Sequence, residues 1–314
     1  MYVPSFGGGM EINMSEKYTF ALLGGDKRQA VVAGRLLSLG HTVRIFGLGE
    51  LSAEIVGAEI FLSAEKAIVG CDALILPLPV SRDGITLNIA SLEKKDRPTL
   101  ADILKYIAKT PGSIVIGGLV PKSMRDMALG LSVDIVDYYE SEDLQKKNAL
   151  PSAEGALMLA MENTDKVIEG MPVLVSGYGR IAGILADKLK KLGARVAIAA
   201  RRDEVLCEIA MSGYMPIKTT DINKMRDAVC ECEVIFNTVP GIIFAGKILE
   251  DAKCKPLYVE IASAPGGIDI PLARGLGYQI LSAPSLPGKY APESAGEYIF
   301  ETLSDILIQR GMKI

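Results

Sequence analysis

VSGYGRIAGILADKLKKLGARVAIAARRDE, running from Val175 to Glu204, is the stretch whose reading decides the fold. An apolar run, MPVLVS, leads into Gly177 and Gly179; a helical pattern, IAGILADKLKKLG, follows, and a second apolar run, ARVAIAA, closes the unit. Strand, tight turn, helix and strand in this order build a parallel α/β sheet. Gly177 permits the sharp turn, Gly179 opens the backbone to a close phosphate, and Ala182 lets helix and strand pack closely. The helix that starts here presents amide donors and the positive end of its dipole. The spacing points to a bound dinucleotide, with Gly177, Tyr178, Gly179, Arg180 and Ile181 around its pyrophosphate. The alternative is a unit that keeps the pattern for packing alone.

The same rhythm occurs earlier in the chain: YTFALL, then Gly24 and Gly25, the helical RQAVVAGRLLSLG and the strand HTVRIF. Farther on, CDALILPLPV from Cys71 matches CEVIFNTVPG from Cys232, each a buried strand leading into a proline-bearing loop. SIVIGG and VDIVDYY add strands to the first half, PLYVEIAS and GYQILSA to the second. The fold class is therefore α/β: two doubly wound Rossmann-like domains with parallel sheets, joined by a bridging helix. Boundaries are expected at residues 1–16 for a flexible extension, 17–150 for the first domain, 151–290 for the second and 291–314 for a C-terminal helix packing back on the first. The join is placed at KKNALPSAEGALMLAM: Pro151 restricts the residue before it, Ser152 can cap a helix and Glu154 suits the positive helix end.

A chain of 314 residues, 49% apolar and 23% charged, is long enough for two cores. A net charge of −4 offers no basic surface for nucleic acid. Every apolar run is too short or too interrupted to span a bilayer, and the N-terminal stretch lacks the layout of a secretory signal, so a cytoplasmic protein is expected. Five cysteines without a CxxC pair, and a single histidine, His41, argue against a metal site. Cys230 and Cys232 would enter a strand with their thiols on one face.

The strand RVAIAA ends at Ala200, which puts Arg201 and Arg202 at the tip that meets the adenosine ribose. An acid there would hold a 2′-hydroxyl and repel a 2′-phosphate; arginines do the reverse. NADP is the cofactor on this reading. A slip of two residues would put Asp203 at the tip and favour NAD instead. Asn237, Thr238, Val239 and Pro240 follow the next buried strand, where the chain passes the nicotinamide ribose, and Ala262 and Ser263 in EIASAPGG lie near the nicotinamide itself.

In the first half the turn GGDKRQ lacks the second spaced glycine and carries Asp26, whose carboxylate would repel a pyrophosphate. Arg28 there could hold a substrate carboxylate or pair internally with Asp26. Ser81 and Arg82 in PLPVSRDG, and Lys289 in the loop SAPSLPGKYAP, are the further candidates for an anionic substrate; a solvated lysine is the alternative for Lys289. His41 precedes a strand and so lies at the amino edge of its sheet, away from the ligand edge. No histidine is then left to act as acid or base, which suits a reaction whose proton leaves easily.

LLGGDKRQ, LPLPVS, NALPSAEGALMLAM, VSGYGRIAG, VAIAARR, IASAPGG and PSLPGKYAPESAG, in this order between residues 22 and 296, closely resemble the dipicolinate synthase A-subunit family of spore-forming bacteria. The resemblance implies an NADP-dependent oxidation of a dihydrodipicolinate-type ring, made from a lysine-pathway intermediate, to pyridine-2,6-dicarboxylate. It implies a flavoprotein-like partner, the dipicolinate synthase B subunit, and work in the mother cell during sporulation. A homo-oligomer is also expected. Two other readings share the architecture: a relative of alanine or 2-hydroxy-acid dehydrogenases, and a nucleotide-binding scaffold whose partner carries the catalysis.

Overall fold

A computed structural model describes residues 16–314, so the extension expected at the N-terminus lies, up to residue 15, outside the described residues. Two compact units form: one takes in the described residues up to Ser141 together with Ile299–Ile314, the other Glu142–Tyr298. No helix among the described residues is long and apolar enough to cross a membrane.

The first unit runs β1 (Thr19–Leu23), α1 (Lys27–Ser38), β2 (Thr42–Phe46), β3 (Glu59–Ile60), α2 (Ala64–Ile68), β4 (Ala73–Ile75), α3 (Leu100–Ile107), β5 (Ile114–Gly117), α4 (Lys122–Gly130) and β6 (Asp134–Asp137). Its strands form one parallel sheet in the order β3-β2-β1-β4-β5-β6. β1, β4 and β5 carry apolar residues at nearly every position because helices cover both faces of a doubly wound sheet. The expected strands YTFALL, HTVRIF, SIVIGG and VDIVDYY all appear within a residue or two of their cores.

His41 is 4% exposed at the entry to β2. Its Nδ1 accepts the Tyr18 amide at 3.4 Å, and its ring packs against Tyr18 and Phe20 with centroids 5.7 and 5.3 Å away. Burial pushes its pKa below the ordinary value. It is a core residue at the amino edge of the sheet.

The second unit opens on α5 (Glu142–Glu162) and continues β7 (Pro172–Ser176), α6 (Arg180–Lys191), β8 (Arg195–Ala200), α7 (Asp203–Met211), β9 (Met215–Lys218), α8 (Ile222–Glu231), β10 (Val234–Asn237), α9 (Lys247–Glu250), β11 (Leu257–Glu260), α10 (Ile270–Gly275), β12 (Ile280–Ser282), α11 (Leu286–Tyr290) and the start of α12 (Pro292–Gln309). The strand order, β12-β11-β10-β7-β8-β9, repeats that of the first unit. It reverses between β7 and β10, the point where doubly wound sheets open a crevice at their carboxyl ends.

Three local expectations are corrected. Ser152 caps no helix, because α5 begins at Glu142 and passes through Pro151. A proline inside a helix costs about 3 kcal/mol. The helix tolerates it because its i,i+4 pairs Glu142–Lys146 and Asp143–Lys147 support the start and a stripe of small residues, Ala149, Ala153, Gly155, Ala156 and Ala160, is buried by packing. Ser152 instead donates back to the Asn148 carbonyl at 2.8 Å. Cys230 does not share a strand face with Cys232: it lies in the last turn of α8, and Cys232 is the helix's C-terminal flanking residue. The SAPSLPGKYAP segment is not a loop throughout, since Leu286 and Pro287 begin α11 and are buried there, and Gly155 of α5 leaves no room for a side chain against Tyr290 and Leu286.

The last part of α12 belongs with the first unit. Arg35 of α1 stacks on the Phe300 ring at 5.3 Å, Arg310 pairs with Asp134, and Lys313 pairs with Glu16 at 3.1 Å.

Candidate functional site

At the carboxyl ends of β7 and β8, a cavity of about 770 Å³ opens over the Gly177–Gly179 turn. Gly177 has a φ of +97°, and a Cβ built on it would lie 2.5 Å from Thr238 Oγ1. Only glycine fits that conformation and that gap. At Gly179, by contrast, a Cβ would meet nothing within 4 Å: the space beside the α6 N-terminus is open. Gly179 is the residue that flanks the helix start and brings no side chain to cap it. The first-turn amides of α6 therefore carry no side-chain cap. Ala182 is fully buried against the sheet, as its small size requires.

The far wall is the tip of β8. The strand ends at Ala200, and Arg201 and Arg202 follow it with exposed side chains at the rim. Asp203 sits one step farther, inside the first turn of α7, where both its oxygens take the Lys218 ammonium at 2.6 and 2.9 Å. β8 thus ends at Ala200, the strand end expected from the sequence, and Asp203 lies in α7.

Of the expected cofactor residues, Gly177, Tyr178, Gly179, Ala200, Arg201, Arg202, Val239 and Pro240 meet around this cavity. The others stand behind or beside it. Arg180 turns its guanidinium to Gln145 of α5 at 2.5 Å, and Ile181 packs against the core of the sheet. Thr238 supports the turn from below, its hydroxyl donating to the Ser176 carbonyl at 2.8 Å. Asn237 is fully buried: its Nδ2 donates to Glu260 Oε1 at 2.7 Å and to the Val239 carbonyl at 2.9 Å. Ala262 is tied to the Asn237 carbonyl at 3.1 Å, and Ser263 is exposed in the loop between β11 and α10.

Sequence reasoning missed Val205, Thr219, Thr220 and the wall Gly241–Ile243, which complete the cavity. The threonines directly follow β9, the neighbour of β8, so the strand order would have pointed to them. Gly241–Ile243 lie past the proline loop and carry no motif.

The corresponding turn of the first unit is chemically closed. Asp26 flanks the start of α1 and accepts the Arg28 amide at 3.1 Å, so the helix end is already capped by a carboxylate. Arg28, 5% exposed, gives Nε and Nη2 to Asp26 at 2.9 and 2.8 Å and Nη2 to the Leu78 carbonyl at 2.6 Å. The internal pair is the reading the structure supports for Arg28. Ser81 is likewise engaged within its own turn, donating to the Thr86 carbonyl at 2.6 Å and accepting from the Gly84 amide at 3.0 Å. Arg82 is exposed, with Nε on Asn88 Oδ1 at 3.1 Å. Lys289 is exposed on α11. Among the described residues no group of histidine, cysteine and acidic side chains could hold a metal ion.

Comparison with known proteins places this geometry. The family described as the N-terminal domain of the dipicolinate synthase A subunit matches residues 19–139. The dipicolinate synthase A subunit of Bacillus subtilis (strain 168) is 30% identical over 293 residues, which is 92% of this chain and 95% of the relative. The crystal structure of the dipicolinate synthase A subunit from Bacillus halodurans superposes with a TM-score of 0.81 at 27% identity, covering 92% of this chain and 97% of the other. An L-alanine dehydrogenase, 16% identical with a TM-score of 0.60 over 93% of this chain and 91% of its own, shares the fold. A relative this similar over almost the whole of both chains means that the chain belongs to the dipicolinate synthase A-subunit family.

Proposed function

We propose that this chain is an NADP-dependent oxidoreductase subunit that makes dipicolinate. The observation that carries the cofactor choice is the tip of β8: two exposed arginines directly after Ala200, with the nearby acid, Asp203, already paired to Lys218. A guanidinium forks onto a phosphate and offers a 2′-hydroxyl no acceptor, so this rim favours a 2′-phosphate. The open glycine at 179 and the amides of α6 fit the pyrophosphate, and Val239 to Ile243 line the side toward β10. A nicotinamide nucleotide held there supplies a hydride acceptor.

The substrate on this reading is a dihydropyridine-2,6-dicarboxylate formed from a lysine-pathway precursor. Loss of a hydride from ring carbon leaves a cation that becomes the aromatic pyridine by losing a proton. Aromatisation drives that proton loss, which is why a site with no free histidine suffices. Arg82 of the first unit and Lys289 of the second, both exposed, are each a candidate partner for a substrate carboxylate. Arg28 is held by Asp26 and stiffens its turn instead. The relatives carry the name of an A subunit, which supports the dipicolinate synthase B subunit as partner. The proposed setting is the cytoplasm of a sporulating mother cell.

The test mixes the purified chain, with and without the B subunit, with NADP and the lysine-pathway precursor, and follows the ultraviolet absorbance of dipicolinate. Product formation that depends on NADP is expected. Folded protein that forms no product in either pairing, or that turns over pyruvate instead, overturns the reading.

A further inference from the structure

We propose that Glu260 is the positioning residue that shapes the cofactor cavity on its β10 side, an inference that rests on the nucleotide reading above. Across the carboxyl edge of the second sheet, Ser176, Asn237 and Glu260 stand in register on β7, β10 and β11. Residues in one row of a parallel sheet point to one face, so three polar side chains line up beneath the loops where β7, β10 and β11 end. The Ser176 hydroxyl is buried and finds no hydrogen-bond partner among the described residues. The Glu260 carboxylate, in contrast, accepts four bonds: Asn237 Nδ2 at 2.7 Å and the Ala262 amide at 3.2 Å on Oε1, the Gly267 amide at 2.7 Å and the Tyr258 hydroxyl at 3.2 Å on Oε2. A carboxylate has about four acceptor positions and no donor, so every position is filled by a donor from a different residue.

Two of those bonds lead to the cavity wall. Asn237, held by Glu260, clamps Val239 from both sides: its Nδ2 donates to the Val239 carbonyl and its Oδ1 accepts the Val239 amide at 3.2 Å. Gly267, held by Glu260, accepts the amides of Ile243 at 2.8 Å and Phe244 at 2.9 Å through its carbonyl. Val239 and Ile243 are the two ends of the wall segment. A Cβ on Gly267 would fall 2.3 Å from Asn237 Nδ2, so the loop is pressed directly onto the hub. In a doubly wound fold the adenosine half of a dinucleotide lies over β8 and the other half over the β10 side of the crevice. Glu260 touches neither half; it fixes the wall that the second half meets.

Glu260→Gln is the discriminating change. Either orientation of the carboxamide turns an NH2 group onto a backbone amide, that of Ala262 or that of Gly267, and the hub must open. Titration calorimetry of the full chain compares NADPH with 2′,5′-ADP, which carries only the adenosine half; if wild type prefers NADH, the pair is NADH and 5′-AMP. The substitution is expected to weaken dinucleotide binding by at least about tenfold, the effect of one buried donor left without an acceptor, and to leave the adenosine fragment within about twofold. Tyr258→Phe, which removes only the hydroxyl donor, gives a smaller loss in the same direction and decides the matter if Glu260→Gln does not fold. Equal loss of dinucleotide and fragment, or no loss of either, overturns the proposal. A wild-type chain that binds no nucleotide overturns the cofactor reading, and the positioning role with it.

Discussion

Arg201 stands one residue past the last buried position of β8, and small apolar residues at 199 and 200 put it there. If it meets the 2′-phosphate, Arg201→Ala removes a charge-assisted bond worth about 1.5–3 kcal/mol, and the Kd for NADPH rises about 10- to 150-fold. NADH, with no phosphate to lose, changes by less than about twofold in the same calorimetric titration. Equal losses for both cofactors would show that this side chain does not read the phosphate. His41 makes a different prediction, one of stability. Its Nδ1 already accepts the Tyr18 amide and its Nε2 is buried with no partner among the described residues, so a second ring proton has no place to go. Burial therefore sets the folded pKa below the unfolded one of about 6.5. Below pH 6.5 the unfolded chain takes up a proton that the folded chain refuses, and stability falls with pH through that range. Above pH 7 the ring is neutral in both states and contributes no slope. Urea midpoints measured from pH 7.5 down to pH 5 should drop for the wild type, and His41→Phe should flatten part of that slope.

Two turns of the same rhythm differ at the element scale in what sits at the helix start. At α6 the flanking residue is Gly179, and the amides stay open to a ligand; at α1 it is Asp26, which caps the helix and neutralises Arg28. Asp26→Ala removes the cap and strands a guanidinium that is 7% exposed. Loss of a cap costs about 1 kcal/mol, and an unpaired buried charge adds to it, for an expected total of about 2–4 kcal/mol once the half-exposed aspartate is allowed for. Denaturant unfolding checks the figure, and a change under about 1 kcal/mol would mean that Arg28 finds another partner. This difference was legible in the letters, since a carboxylate at a phosphate position excludes phosphate. The start of α5 was not. Pro151 and Ser152 follow the local grammar of a helix beginning, and what overrides them is the burial of Ala149, Ala153, Ala156 and Ala160, a tertiary effect that no window of the sequence contains. The α11 segment misled for the same reason: its glycine and prolines read as loop, while Leu286 and Pro287 are held in place by burial.

At the scale of the whole molecule, the repeat of strand, turn, helix and strand was enough to indicate two parallel sheets of doubly wound topology with five strands in each half, because right-handed crossovers leave few other arrangements. The short edge strands β3 and β9, which complete each sheet to six, were not read from the sequence. The glycine turn and the β8 tip were legible too, each lying within one short motif. Glu260 was not, because its four donors come from β10, from β11 and from both ends of the loop that follows, and only the fold brings them together. The C-terminal helix is the remaining long-range link. Its last residues, from Ile299 on, group with the first unit, and Ile299, Leu303 and Leu307 are 2%, 1% and 0% exposed. A buried leucine cut back to alanine costs about 2–5 kcal/mol. That is a large share of the roughly 5–15 kcal/mol by which a domain is usually stable. Leu307→Ala should therefore raise amide hydrogen exchange in β1, β4 and β5 while β7, β8 and β10 keep their protection. Exchange that instead rises in β7, β8 and β10 would assign the end of α12 to the second unit and overturn the division drawn at Ile299.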